Sequence, residues 1–171
     1  KLLEEIRSYW NNRADGYSRV NQEELHSEQK EKWKEVLLEQ LPKKEKDQVQ
    51  ILDIGTGPGF FAILLAEEGY QVTAVDYTEQ MLQEAKSNAA DLADQISFKR
   101  MDAQNLEFPK ETFDYIVTRN VTWNLEHPKR AYREWQRVLK PGGKILNFDA
   151  NWYAYLYDDK LKLGYEQDRQ R

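Results

Sequence analysis

Val49-Gln50-Ile51-Leu52-Asp53-Ile54-Gly55-Thr56-Gly57-Pro58-Gly59-Phe60 is the stretch on which the fold turns. An apolar run rich in β-branched residues, followed at once by glycines, reads as a buried strand entering a sharp turn and then a helix. Gly55 lets the chain reverse, Gly57 lacks the Cβ that would hold a ligand off the backbone, and Pro58 can open a helix because its missing N–H would be an orphan there. The helix runs from Phe61 to Glu68 and stops at Gly69. A nucleotide-like ligand usually sits over such a turn. Phe60 stands where the dinucleotide fingerprint wants a third small residue, which disfavours a nicotinamide dinucleotide. Asp53 ends an otherwise apolar strand, where an unpaired charge is costly. It suits a ligand with a cationic end.

The motif Asp53-Ile54-Gly55-Thr56-Gly57-Pro58-Gly59 resembles the first motif of the class I S-adenosylmethionine-dependent methyltransferases. The likeness runs from about Tyr9 to Trp152 in the same order of elements, and Leu139-Lys140-Pro141-Gly142-Gly143 also fits the family. Within the family it is nearest the broad group that includes the ubiquinone and menaquinone C-methyltransferases. The resemblance implies a doubly wound, mostly parallel Rossmann-like α/β sheet with helices on both faces and S-adenosylmethionine as cofactor. Asp53 and the backbone of Gly55, Thr56 and Gly57 would hold its methionine end. The expected layout is an N-terminal helical lid over residues 1–42, a cofactor-binding core over 43–157 and a polar tail with helical potential over 158–171. The family normally adds an antiparallel hairpin after the fifth strand, and residues 158–171 do not supply it. With Lys1 rather than Met at the start, the expectation is a trimmed form of a longer protein.

Residues 1–20 read as a short helix, with Ile6, Tyr9 and Trp10 on one face, followed by a less regular segment. In the family this region covers the cofactor, so Tyr17 either touches ligand or packs. From Gln22 to Leu41 the apolar residues Leu25, Trp33, Val36, Leu37, Leu38 and Leu41 recur with helical spacing, which predicts one helix with a buried face that includes Trp33. A second strand, Val72–Val75, ends at Asp76. The interval from Gly55 is close to the roughly 20 positions at which an acidic residue meets ribose hydroxyls; an ordinary loop aspartate is the alternative. Tyr77 can lie against the adenosine, Thr78 is an N-cap candidate, and a helix from Glu79 to about Asp94 carries Met81 in its first turn, beside the ligand or in the core.

The third strand, Ile96–Met101, leads to Asp102-Ala103. In the family this position grips adenine, the carboxylate accepting from the amine and a backbone N–H donating to the ring; capping of the next turn is the other use of Asp102. Met101 is grouped with them. The fourth strand, Phe113–Thr118, runs into Arg119-Asn120-Val121-Thr122-Trp123-Asn124, which should line the cleft, with Asn120 contributing to the cofactor. His127 precedes Pro128 at a helix start and is either a general base or a surface residue. The fifth strand is expected over Lys144–Ala150, after a Pro-Gly-Gly turn, and Trp152, Tyr153, Tyr155 and Tyr157 form either a substrate wall or the remnant of a missing segment.

A chain of 171 residues suits one domain. Its 25 Lys and Arg against 30 Asp and Glu, a formal charge of −5, disfavour phosphate backbones as partners. The nucleic-acid amino-methylation string of Asn or Asp, two prolines and an aromatic is also missing. Cysteine is absent, which removes disulfides, thiolate metal sites and thiol nucleophiles. No apolar run approaches the roughly 20 residues needed to span a bilayer, and no signal-peptide pattern opens the chain. A soluble cytoplasmic protein is expected. The leading expectation is methyl transfer from S-adenosylmethionine to an O, N or C nucleophile of a small molecule, with no metal required and no catalytic base identified. The alternatives are a domain that binds the cofactor without turnover and, on shared topology alone, a nicotinamide oxidoreductase. Oligomeric state is not legible.

Overall fold

Helix α4 (Phe60–Glu67) is apolar on every side and buried along nearly its whole length, as a helix wedged between a sheet and other helices must be. It ends in a Schellman arrangement: the Gly69 amide donates to Ala66 O (3.0 Å), the Tyr70 amide donates to Leu65 O (3.1 Å), and Gly69 takes φ +92°. The computed structural model describes residues 2–11, 14–122 and 125–149; the side chains of Trp10, Asp15, Gly16, Tyr17, Val20, Asn21 and Glu24 lie outside what it describes. Around α4 the elements are α1 (Leu2–Asn11), α2 (Ala14–Leu25), α3 (Gln29–Glu39), β1 (Ile51–Ile54), β2 (Val72–Asp76), α5 (Glu79–Ala89), β3 (Ile96–Arg100), β4 (Phe113–Arg119), α6 (Pro128–Val138) and β5 (Leu139–Phe148).

The five strands form one sheet in the order β3-β2-β1-β4-β5, every pair parallel. Central β1 is buried at all four positions, the near-continuous apolar strand of a sheet covered on both faces, whereas edge strand β3 is mostly exposed. One face packs against α3, α4 and α5 through Leu37, Phe61, Leu65, Ala89, Tyr115 and Val117. The other packs against α6 through Leu52, Ile54, Ile116, Ala131, Trp135 and Val138. Ala131, Trp135 and Val138 fall on one stripe of α6, and Pro128 opens that helix.

Several boundaries differ from expectation. The single helix predicted over 22–41 is two helices, α2 and α3, separated at His26–Glu28, and α2 takes up the segment expected to be irregular. The helix predicted to reach Asp94 stops at Ala89, where Ala90 adopts φ +50° and a 3₁₀ turn (Ala90–Gln95) follows. Strand β5 starts at Leu139 rather than Lys144. Leu139 pairs with Phe113, and pairing resumes at Tyr115 with Lys144, so Pro141-Gly142-Gly143 is a bulge within the strand. The cluster Trp152, Tyr153, Tyr155 and Tyr157 lies outside the described residues, as do Trp123 and Asn124.

Candidate functional site

Strand order reverses between β1 and β4, and the crevice beyond their carboxyl ends is where open α/β sheets take ligands. The turn after β1 is tight enough to require glycine: Gly55 has φ +65°, and a Cβ there would stand 2.4 Å from Val121 Cγ2. A cleft of about 340 Å³ opens at this point. Its lining includes Asp53, Gly55, Thr56, Gly57, Asp76, Tyr77, Met81, Met101, Asp102, Ala103 and Asn120, so eleven of the twelve candidates come together from four strand ends and the helices that follow them. The remaining one, Tyr17, lies on α2 with its side chain outside what is described.

The three carboxylates have different surroundings. Asp53 is 2 % exposed and accepts a hydrogen bond from the Thr56 hydroxyl at 2.7 Å. Burial pushes its carboxyl up to about 7, against the pull of the Thr56 hydroxyl and the Ala62 amide, and the charge of Asp76 adds to the rise. Asp76 accepts from the Gly57 amide (2.9 Å, Oδ2) and the Thr78 amide (2.9 Å, Oδ1). Burial raises its pKa, and those amides oppose the rise. Asp102 Oδ1 accepts from the Gln104 amide at 2.9 Å, so it caps the turn that follows it. The Ala103 carbonyl accepts from Trp135 Nε1 at 2.9 Å, which fixes that loop on α6.

Met81 is buried at the floor of the cleft and belongs to both wall and core. Tyr77 donates its hydroxyl to Glu4 Oε1 at 3.1 Å, tying α1 to the far wall. Asn120 takes the left-handed conformation (φ +57°) and donates its amide to Phe148 O at 2.7 Å, turning the chain at the end of β4. His127 is exposed at the start of α6 and faces a separate depression with Lys129, Arg130 and Arg133, so it is not part of this cleft.

Ile6, expected on one face of the first helix, lines the cleft together with Leu3 and Arg7 of α1, which the sequence reading did not single out. Their i, i+3, i+4 spacing places them on one face, whereas Tyr9, expected on the face of Ile6, is 44 % exposed. Arg7 pairs with Glu4 at 2.7 Å, and its Nε is buried without a hydrogen-bond partner among the described residues. Arg119 also lines the cleft, its guanidinium 4.9 Å from the ring centroid of Trp33, which is itself packed on Phe61. Among the described residues no group of three or more His, Cys, Asp or Glu is placed to hold a metal, and no helix is long and apolar enough to cross a membrane.

Residues 52–147 match the family profile described as "Methyltransferase domain". The chain is 31 % identical over 109 residues to a ubiquinone biosynthesis O-methyltransferase of Coxiella burnetii, covering 63 % of this chain and 47 % of that protein. It is 31 % identical over 144 residues to a ubiquinone/menaquinone biosynthesis C-methyltransferase of Rickettsia massiliae, covering 80 % of this chain and 54 % of that one. The chain thus spans about half the length of these curated relatives. Among solved structures, a phosphoethanolamine N-methyltransferase of Haemonchus contortus in complex with S-adenosyl-L-methionine superposes with a TM-score of 0.60 at 30 % identity, over 68 % of this chain and 27 % of that one.

Proposed function

Because this chain belongs to the methyltransferase-domain family, the class I S-adenosylmethionine-dependent methyltransferases, we propose that it transfers a methyl group from S-adenosylmethionine to an O, N or C nucleophile of a small molecule. The observation that carries the reading is the set of strand-end carboxylates, Asp102, Asp76 and Asp53, ranged around one glycine turn in one cleft.

The described residues fit such a cofactor. Asp53, with the Gly55–Gly57 backbone, would take the methionine end, where a cationic amine suits a buried carboxylate held near pH 7. Asp76 has both oxygens on backbone amides that orient it, and the second lone pair of each oxygen can accept a ribose hydroxyl. Asp102, with the Ala103 backbone, would take the adenine edge; Tyr77, Met81 and Met101 would pack on its faces, and Asn120 would close the methionine side. The bound cofactor supplies a methyl already activated by its sulfonium. The protein's part is to align the acceptor with it and exclude water. Leu3 and Ile6 of α1, with Phe60 and Val121, give the cleft the apolar wall that such exclusion needs.

Relatives named for O-, C- and N-methylation stand at nearly equal identity, so the acceptor atom is left to the substrate end of the cleft. Small acceptors, rather than nucleic acid, agree with the chain's acidic balance, and a cytoplasmic location is proposed with them. Calorimetric titration of the chain with S-adenosylhomocysteine, with NADH in parallel, tests the reading. Micromolar binding of S-adenosylhomocysteine alone, about −8 kcal/mol, is expected; binding of NADH alone would sink it.

A further inference from the structure

Across the sheet the strand ends carry charge in an order hidden by the linear sequence: Asp102 just beyond β3, Asp76 on β2, Asp53 on β1 and then, one strand further, Arg119 on β4. At the ends of β1 and β4, which flank the glycine turn, a carboxylate therefore stands on one side and a guanidinium on the other, while Arg7 of α1 lines the cleft paired with Glu4. The Arg119 guanidinium has a built seat. It stands 4.9 Å from the ring centroid of Trp33, 5.3 Å from Phe60 and 5.9 Å from Phe61, contributed by α3 and α4. Phe61 and Trp33 are themselves locked against Phe148 of β5 at 5.7 and 5.1 Å.

Aromatic faces attract a guanidinium, and a rigid set of them fixes where its charge stands. Its planar fork matches a carboxylate in bidentate fashion, which a point charge does not. The ribose, adenine and cationic amine assigned to the three aspartates have no use for a cation one strand away. Phe60, Val121 and Leu125 line the cleft beside it, so the chemistry that fits is an anion attached to an apolar body.

We propose that Arg119 is a specificity-determining residue of the acceptor site, and that it selects small acceptors carrying a carboxylate next to an apolar or aromatic body. This inference rests on the methyl-transfer reading. The α-carboxylate of the cofactor offers the same chemistry, and the experiment separates the two sources.

Wild-type chain, Arg119→Gln and Arg119→Lys are titrated with S-adenosylhomocysteine and with its decarboxylated analogue, S-adenosyl-3-thiopropylamine. The S-adenosylhomocysteine complexes are then titrated with a panel of aryl and alkyl carboxylic acids, each paired with its neutral methyl ester. The expected result is that Arg119→Gln binds S-adenosylhomocysteine within about twofold of wild type, that at least one acid binds the wild-type complex about tenfold more tightly than its ester, and that Arg119→Gln loses this preference while Arg119→Lys keeps part of it. Three results overturn the inference: no acid distinguished from its ester by wild type; a loss of S-adenosylhomocysteine affinity in Arg119→Gln that spares the decarboxylated analogue, which would assign Arg119 to the cofactor; or an equal loss for every ligand with a lowered melting temperature, which would make it structural. In all three the wild-type chain still binds S-adenosylhomocysteine. Failure of that binding itself refutes the methyl-transfer reading, and the inference falls with it.

Discussion

Replacing Asp76 with alanine removes the acceptor that the Gly57 and Thr78 amides share, and with it the proposed partner of two ribose hydroxyls. Loss of one or two hydrogen bonds to a charged group, about 1.5–3 kcal/mol each, should weaken S-adenosylhomocysteine binding by at least tenfold in a calorimetric titration; unchanged affinity would remove the ribose assignment. Asp53 gives a pH signature. Its carboxyl, held at about 7 by burial, must be ionised to pair with an ammonium, so affinity measured from pH 6 to pH 8 should rise about tenfold and level off. Asp53→Asn should flatten that profile. Thr118 carries the opposite lesson: its hydroxyl is buried on β4 without a hydrogen-bond partner among the described residues. The isosteric Thr118→Val should therefore leave thermal stability unchanged or raise it by up to about 2 kcal/mol, whereas a loss would reveal a missed partner. At this scale Asp53 was legible as a cleft residue because a carboxylate ending an apolar strand is rare and costly, Asp76 because its interval from Gly55 adds to that signal, and Asp102 only through the family resemblance. Arg119 was visible as a cleft residue, but its setting depends on strand order and on rings from α3 and α4, none of which is near it in sequence.

Helix α2 is held over the glycine turn by a polar latch. Asn88 of α5 donates to the Pro58 carbonyl at 3.0 Å and accepts from Ser18 Oγ at 3.2 Å and Gln22 Nε2 at 2.9 Å. Asn88→Ala should cost about 0.5–1.5 kcal/mol through the part-buried hydrogen bonds it removes. It should also speed proteolysis within residues 1–25 more than elsewhere, a pattern that limited digestion read by mass spectrometry would show or refute. The break between α2 and α3 was illegible because His26-Ser27-Glu28 contains neither glycine nor proline, and the helical recurrence of apolar residues runs on through it. Pro141-Gly142-Gly143 misled in the other direction. It has turn composition, yet the strand is paired on both sides of it, and Gly143 is needed because a Cβ there would stand 2.8 Å from Asp114 O. The strand–turn–helix at 49–68 was legible because a β-branched run, three glycines and an all-apolar helix point the same way.

For the molecule as a whole, two carboxylates pull stability in opposite directions along the pH axis. The folded-state value of Asp53 lies above its ordinary 3.8, so the folded chain keeps a proton that the unfolded chain releases, and this contribution is lost as pH rises from about 4 through 7. For Asp114, at the opposite end of the sheet, burial alone would raise the pKa, but Lys44, the Gln50 amide and Lys140 outweigh it and hold the carboxyl below its usual range. Its contribution is present above the unfolded value and is lost as pH falls through the lowered folded one. Melting curves of the chain should therefore show stability declining from mildly acid to neutral pH; Asp53→Asn should reduce that decline, and the raised Asp76 carboxyl should account for part of what is left. The sheet topology also bears on kinetics. Ile51 pairs with Val72 on one side but with distant Tyr115 on the other, and the cleft lies beyond the β1–β4 seam that this second pairing closes. The longer-range pairing carries the larger loop-closure cost, so partly folded chains are expected to lack the site. Saturating S-adenosylhomocysteine should slow the unfolding arm of a denaturant chevron and leave the refolding arm where it is, the mark of a ligand that recognises only the finished molecule.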